Sequence, residues 1–263
     1  MHDDQTQPTA ALALRPMRPT EVLGTAFGLY RRRWRTLLAI VALAVPLAVS
    51  FPSTKVLPGP GSEYQVIVHN RVVATGGSWA DTAVVVVALL AALLGFAVMA
   101  GAVTRAAVAA VAGEDLGVWR SYRFAVGRAW PLFLVLVLSW LLTMLGFVLL
   151  VVPGIVVGVL LSVSVPALVV ERTRVRDALF RSWSLVAGRW LHTFGTLLLT
   201  WLLLGLAVNL VDNAAGGFGH GWVVETIAQA LAITLAAPFA ILVAVLLYLD
   251  LRARREPLDS DLL

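Results

Sequence analysis

The 263-residue sequence contains no cysteine, a single lysine at Lys55, four histidines and, over long stretches, no charge at all. Each shortage removes a class of chemistry. Without cysteine there is no disulfide, no thiolate nucleophile and no thiolate metal site. His2, His69, His192 and His220 are scattered along the chain, so no metal centre with converging ligands is expected. No G-x-S-x-G nucleophile elbow is present. Gly217, Gly219 and Gly221 alternate in GGFGHG, but no strand precedes them and no Lys-Ser or Lys-Thr follows, so the stretch reads as a turn and not as a phosphate cradle. The opening MHDDQTQPTA is acidic and lacks a short apolar core with a small-residue cleavage site, so no cleaved signal peptide is expected. Catalytic residues, metal, cofactor and nucleic-acid partner are all absent from the expectation, and the chain does not read as an enzyme.

What is present is apolar surface. Apolar residues make up 60% of the chain and charged residues 13%, against roughly 25% charged in a soluble domain. Mean hydropathy is +0.89. The apolar residues come in runs of about 17 to 26, the length needed to cross about 30 Å of hydrocarbon as a helix. A transmembrane barrel would show alternating segments of about ten residues, and these runs are continuous. Helices remain as the spanning structure. Spans are predicted over 36–51, 82–104, 131–152, 154–170, 191–211 and 223–248. Val152, Pro153 and Gly154 separate the third from the fourth, and a tight hairpin turn is expected there.

Charge then orients the spans. The arginines of 15–35, 105–128, 172–189 and 252–255 fall on one side, while Lys55 and Arg71 alone fall on the other. By the positive-inside rule both termini are cytoplasmic, which requires an even number of spans. Trp34, Trp79, Trp119, Trp130, Trp183, Trp190 and Trp222 sit at span ends or beside them, where an amphipathic ring suits both phases. The resulting organisation is a cytoplasmic tail over 1–18 without fixed structure, one membrane domain over 19–256 with an external loop at 52–81, and a short cytoplasmic tail at 257–263. Within that loop, Tyr64 to Val68 and Arg71 to Val73 flank His69 and Asn70. This pattern fits a short β-hairpin, and an irregular loop fits it equally well.

Three stretches resemble one another: EVLGTAFGLYRRRWRTLLAI, DLGVWRSYRFAVGRAWPLFLVL and RVRDALFRSWSLVAGRWLHTFGTLLL. Each sets arginine and tryptophan just ahead of a span. Trp119, Tyr122, Val126 and Trp130 recur at helical spacing in the second, and Val175, Leu179, Trp183, Val186 and Trp190 do so in the third. The expected fold is therefore an all-α polytopic bundle of about six transmembrane helices, arranged as three hairpins, each preceded by an amphipathic interfacial helix. The same residue types recur at many membrane interfaces, so likeness without structural repetition also fits.

No charge falls at mid-depth in any span, where one would point to transport. Neutral polar groups remain, among them Asn209 and Gln229, and helix-to-helix hydrogen bonding accounts for such groups. Pro46, Pro166 and Pro238 interrupt spans one, four and six, each bending its helix and freeing a carbonyl. Pro166, Pro238, Asn209 and Gln229 are the candidates for a kinked polar path.

Several blocks resemble the glycerophosphoryl diester phosphodiesterase membrane-domain family. They are Pro153-Gly154-Ile155, then Val165-Pro166-Ala167-Leu168-Val169-Val170-Glu171, Ala178-Leu179, Arg181-Ser182-Trp183-Ser184-Leu185-Val186 and Gly188-Arg189-Trp190. Tyr248-Leu249-Asp250-Leu251-Arg252-Ala253-Arg254-Arg255-Glu256 belongs with them, and Leu14-Arg15-Pro16-Met17 with Leu29-Tyr30-Arg31 fits the same pattern. The resemblance implies the membrane part alone. The soluble barrel that gives the family its name has neither room nor metal ligands here, so no catalytic residue carries over.

The expected function is a non-enzymatic membrane module that contacts lipid headgroups or scaffolds a partner. Arg33, Arg120, Arg123, Arg128, Arg181 and Arg189 are the candidate contacts to anionic phospholipid phosphates. The expected partners are the lipid bilayer, another membrane protein or a second copy of the chain, in the cell membrane of a bacterium. A permease with a site at the kinked helices is the alternative.

Overall fold

The computed structural model describes residues 17–50, 54–58, 64–68, 71–76, 79–217 and 222–255. The remainder of the expected N-terminal tail, the turn at His69 and Asn70, most of GGFGHG and the C-terminal tail lie outside the described residues. Among the described residues the regular structure is helical apart from one small sheet. In order it forms α1 (Pro19–Ser50), β1 (Thr54–Pro58), β2 (Tyr64–Val68), β3 (Arg71–Gly76), α2 (Trp79–Val111), α3 (Val118–Gly127) and α4 (Ala129–Leu149). There follow α5 (Val151–Leu160), α6 (Ser164–Glu171), α7 (Val175–Ala187), α8 (Trp190–Gly216) and α9 (Trp222–Arg255).

Among the described residues, five helical stretches are long and apolar enough to cross a membrane: Leu89–Val111, Ala129–Leu149, Val151–Glu171, Trp190–Ala215 and Ile227–Arg255. Such segments are what an integral membrane protein requires. α1 is not in this set; the side chains at its apolar end, beyond Ala44, lie outside the described residues. The sheet is antiparallel in the order β1-β2-β3, with Val68 paired to Arg71, so β2 and β3 form the strands of the expected hairpin. β1 was not expected: TKVLP has no alternation to betray it and joins through its backbone pairing with β2.

The hairpin between α4 and α5 turns three residues earlier than the Val152-Pro153-Gly154 signal suggests. Leu150 alone is extended, with φ −170° and ψ 157°, and α5 begins at Val151. Pro153 then lies in the first turn of α5, where a missing N–H leaves no helical bond unmade. The two helices approach closely through glycine. A Cβ on Gly146 would come within 2.9 Å of the Gly154 Cα, and one on Gly158 within 3.2 Å of the Thr143 side chain. Gly154 and Gly158 are spaced as in the small-residue motif that lets membrane helices touch backbone to backbone.

Each arginine-tryptophan stretch is broken at the same place. Arg33 (φ −119°, ψ 19°), Arg128 (φ −123°, ψ 21°) and Arg189 (φ −146°, ψ 44°) leave the helical region one or two residues ahead of Trp34, Trp130 and Trp190. The break separates a short arginine-bearing helix from the long apolar one. Just past the last two breaks the rings stack, Trp130 on Phe133 and Trp190 on Phe194. Arg33 forms an ion pair with Asp115 in the loop before α3, and Arg128 bonds the Arg172 carbonyl (2.9 Å) in the loop before α7. Arg33 and Arg128 thus each clasp the entry to the next stretch.

The short helices also bond into the backbone of the apolar ones. Tyr30 donates to the Leu235 carbonyl (3.2 Å), three residues before Pro238, and its ring meets Phe239 edge-on. Tyr122 donates to the Ile40 carbonyl (2.7 Å), and Arg128 to that of Leu168 (3.3 Å), which is among the last four of α6. The break between α5 and α6, ahead of Pro166, sends the Ser164 N–H to Leu161 instead of Leu160. Ser182 of α7 takes the carbonyl of Leu160 in its place, at 2.7 Å.

The core lies between α1, α2 and α9. Small side chains of α2, including Ala97, Ala102 and Ala106, meet Leu37 and Ile40 of α1 and Leu242 and Leu246 of α9. Leu132 of α4 packs onto Gly101, where a Cβ would collide with its methyl groups. α4 and α8 bury little of their apolar surface within the chain. Substituting Gly146 with valine is expected to cost about 1–3 kcal/mol by overpacking against Gly154. Gly205→Ala, where a Cβ meets nothing within 4 Å, is expected to be neutral. Thermal unfolding of both variants in detergent micelles measures the difference.

Candidate functional site

α7 has three working faces. Ala178, Ser182, Leu185 and Val186, at helical spacing, are buried against the bundle. Asp177 lies in the first turn, where a carboxylate suits the positive end of the helix dipole. Val175, Leu179 and Trp183 recur every four residues along one flank, opposite Leu134, Leu138 and Leu142 at the same spacing on α4. The two stripes do not close on each other. They leave a groove of about 550 Å³ with Leu161 of the α5–α6 break in its wall.

Phe180 is the partition between this groove and a second chamber. On the apolar side Arg176 stacks over the Phe180 ring at 5.5 Å. On the other side, Phe180 joins Glu171, Asp177, Arg181, Ser184 and Arg252 around a shallow polar chamber of about 610 Å³, wide open to the outside. Glu171 is held there by Arg181 Nε at 2.7 Å and by the Tyr248 hydroxyl at 2.5 Å. An apolar cleft joined to a charged one is the form an amphipathic ligand requires, and both volumes fall in the range of about 300–1,000 Å³ usual for ligand clefts.

A second polar cluster ties the beginning of the described chain to its end. Asp250 is fully buried in α9 and accepts the Met17 N–H at 2.7 Å and Arg254 Nε at 2.9 Å. Arg254 in turn donates to the Met17 carbonyl at 2.6 Å. Met17, expected within the tail, is therefore a buried and fully bonded residue. His192 Nε2 stands 3.3 Å from the Asp250 carboxylate but is not aligned for a hydrogen bond. This cluster closes the bundle and opens onto neither chamber.

The six candidate arginines divide by role. Arg120, Arg123 and Arg189 are exposed. Arg33 and Arg128 are engaged with the chain itself, as described above. Arg181 is paired with Glu171 and lines the polar chamber. The kinked-path residues are not gathered around either chamber. Pro166 and Pro238 are buried, Asn209 is exposed on α8 with its amide bonded to the Gly205 carbonyl one turn back, and Gln229 is half-buried on α9.

Sequence reasoning placed Leu179 and Trp183 on one helical face but had no reason to single out Arg176 or Phe180. The only signal was the four-residue spacing shared with Leu134, Leu138 and Leu142. That the stripes face each other across a gap is a matter of packing. The chain matches no family model, no curated protein and no solved structure.

Replacing Asp250 with alanine removes the acceptor of two donors in a buried site. A loss of about 3–5 kcal/mol is expected. Asp177→Ala, at an exposed position with no described ion pair, should stay within about 0.5 kcal/mol of the parent. Chemical unfolding in mixed micelles, followed by tryptophan fluorescence, measures both.

Proposed function

We propose that the chain is a non-enzymatic, multi-pass membrane module whose arginine-bearing helices contact the phosphates of anionic lipids or the docking face of a membrane partner. In this reading α1 supplies a sixth span, and the spans form three hairpins, each introduced by a short helix lying at the cytoplasmic face. Both termini are cytoplasmic, and the sheet lies outside the cell membrane of a bacterium.

The observation that carries the reading is the exposure of Arg120, Arg123 and Arg189 on or beside helices whose large apolar side chains also point outward. Trp119, Val126 and Trp130 are exposed around α3, and Phe180 and Trp183 on α7. A helix that turns aromatic rings and arginines outward together suits the boundary between acyl chains and headgroups. Each arginine near an anionic surface contributes about 1 kcal/mol. The resemblance to the membrane part of the glycerophosphoryl diester phosphodiesterase family supports a lipid setting, without its catalysis. The polar groups within spans agree with a module and not a conduit: Thr143, Thr196, Thr200, Asn209 and Thr234 each bond to a carbonyl one turn back in their own helix.

The natural lack of cysteine makes the chain a ready background for labelling. Arg71→Cys should react with an impermeant maleimide on intact cells, and Arg120→Cys only after permeabilisation. The opposite pattern would overturn the orientation. For the lipid contact, the triple substitution Arg120→Glu, Arg123→Glu and Arg189→Glu should lower co-purified phosphatidylglycerol by about a hundredfold, the loss of three contacts of about 1 kcal/mol each. Unchanged phosphatidylglycerol in the purified variant would refute the headgroup reading.

A further inference from the structure

We propose that the paired chambers around Phe180 hold one zwitterionic aminophospholipid, with an acyl chain in the apolar groove, the phosphate on Arg176 and the ammonium on Asp177. The assignment rests on the lipid-contacting reading above and adds a defined site and a headgroup to it.

The groove dictates a chain. Its walls are apolar along α4 and α7, with Leu138, Leu142, Phe180 and Trp183 only partly covered by the protein. A helix flank open to hydrocarbon fills with hydrocarbon. Moving a chain from the surrounding bilayer into such a groove gains packing and little hydrophobic energy, because lipid tails are as apolar as leucine. Selection therefore depends on the polar end.

Arg181 and Arg252 line the polar end together with Glu171 and Asp177; Arg181 is paired with Glu171 and Arg252 is engaged as well, so Arg176 and Asp177 are left as one charge of each sign. Arg176 and Asp177 are adjacent on α7, so their side chains leave the helix about 100° apart and do not face each other. Both are exposed, and neither forms an ion pair among the described residues. Arg176 is held in place by its stacking over Phe180 at the rim of the groove. Asp177 lies on the far side of that ring, in the polar chamber. The other acid there, Glu171, is already bonded to Arg181 and Tyr248. An anionic headgroup would satisfy Arg176 but meet the Asp177 carboxylate with like charge. A phosphate joined to a primary ammonium satisfies both, through charge-assisted hydrogen bonds of the stronger kind.

The test uses the full-length protein reconstituted in vesicles of equimolar phosphatidylethanolamine and phosphatidylglycerol, extracted gently and weighed intact by native mass spectrometry. One retained phosphatidylethanolamine per chain is expected. Leu138→Trp, which fills the groove, should abolish that adduct, and Asp177→Lys should weaken it by about tenfold, the loss of one charge-assisted contact. Asp177 is exposed, so the second variant tests the site even if the first fails to fold. Four results would each overturn the assignment: phosphatidylglycerol retained in place of phosphatidylethanolamine, an adduct unchanged in folded Leu138→Trp, an adduct unchanged in Asp177→Lys, or a dimer that Leu138→Trp disperses, which would give the groove to a second copy. Failure here leaves the arginine contacts standing, because those are read from phosphatidylglycerol in the triple glutamate variant.

Discussion

A helix surrounded by hydrocarbon has no water to rescue an unmet carbonyl, and the architecture of this chain follows from how its helices meet that demand where they bend or end. The rescuing groups come from the arginine-tryptophan stretches. Tyr30 reaches Leu235, Tyr122 reaches Ile40, Arg128 reaches the end of α6, and Ser182 covers the carbonyl freed between α5 and α6. The short helices are thus part of the membrane bundle's hydrogen bonding as well as its charged face. Removing Arg128 or Ser182 would leave a helix-end carbonyl unsatisfied in a setting where that is most costly, whereas Tyr30 and Tyr122 add a second donor to carbonyls inside a helix.

This double duty explains why the arginines are not equivalent. Those at the three breaks sit where the chain turns from its short helix into its apolar one, and Arg33 and Arg128 are spent on holding the next entry loop. Arg120, Arg123 and Arg176 project from helix surfaces instead and remain open to solvent or lipid. The same division holds for the aromatics. Tyr122 is partly buried and bonded, while Trp119 and Trp130 beside it face outward. On α7 the small residues Ala178 and Ser182 take the buried stripe, which lets the helix lie close and pushes Phe180 and Trp183 to the edge where the chambers form.

The polar closure at Asp250 shows the cost of anchoring the N-terminal segment. A buried carboxylate is stable only with its lone pairs met, and here the Met17 N–H and Arg254 meet them. Burial also pushes the Tyr122 phenol above its ordinary pKa, so its hydroxyl stays a donor to Ile40 at any physiological pH.

Much of this was legible from residue order. The uninterrupted apolar runs, the arginine asymmetry and the tryptophans at run ends each reflect a one-dimensional rule about crossing an apolar layer, so long apolar helices follow from the chain alone: six were expected, and five stand among the described residues. At 64–73 local turn chemistry left a hairpin and an irregular loop equally open, and strand pairing decided for the hairpin. Other features depend on which residues meet in space. The turn at Leu150 arose because Pro153 fits the first turn of a helix as well as it fits a loop. β1 exists only by pairing with β2, and the anchoring of Met17 depends on a carboxylate more than two hundred residues away. The groove beside Phe180 is of the same kind: two leucine-rich stripes have identical patterns whether they close or stand apart, and only the packing of α7 against α4 and the α5–α6 break decided that they stand apart.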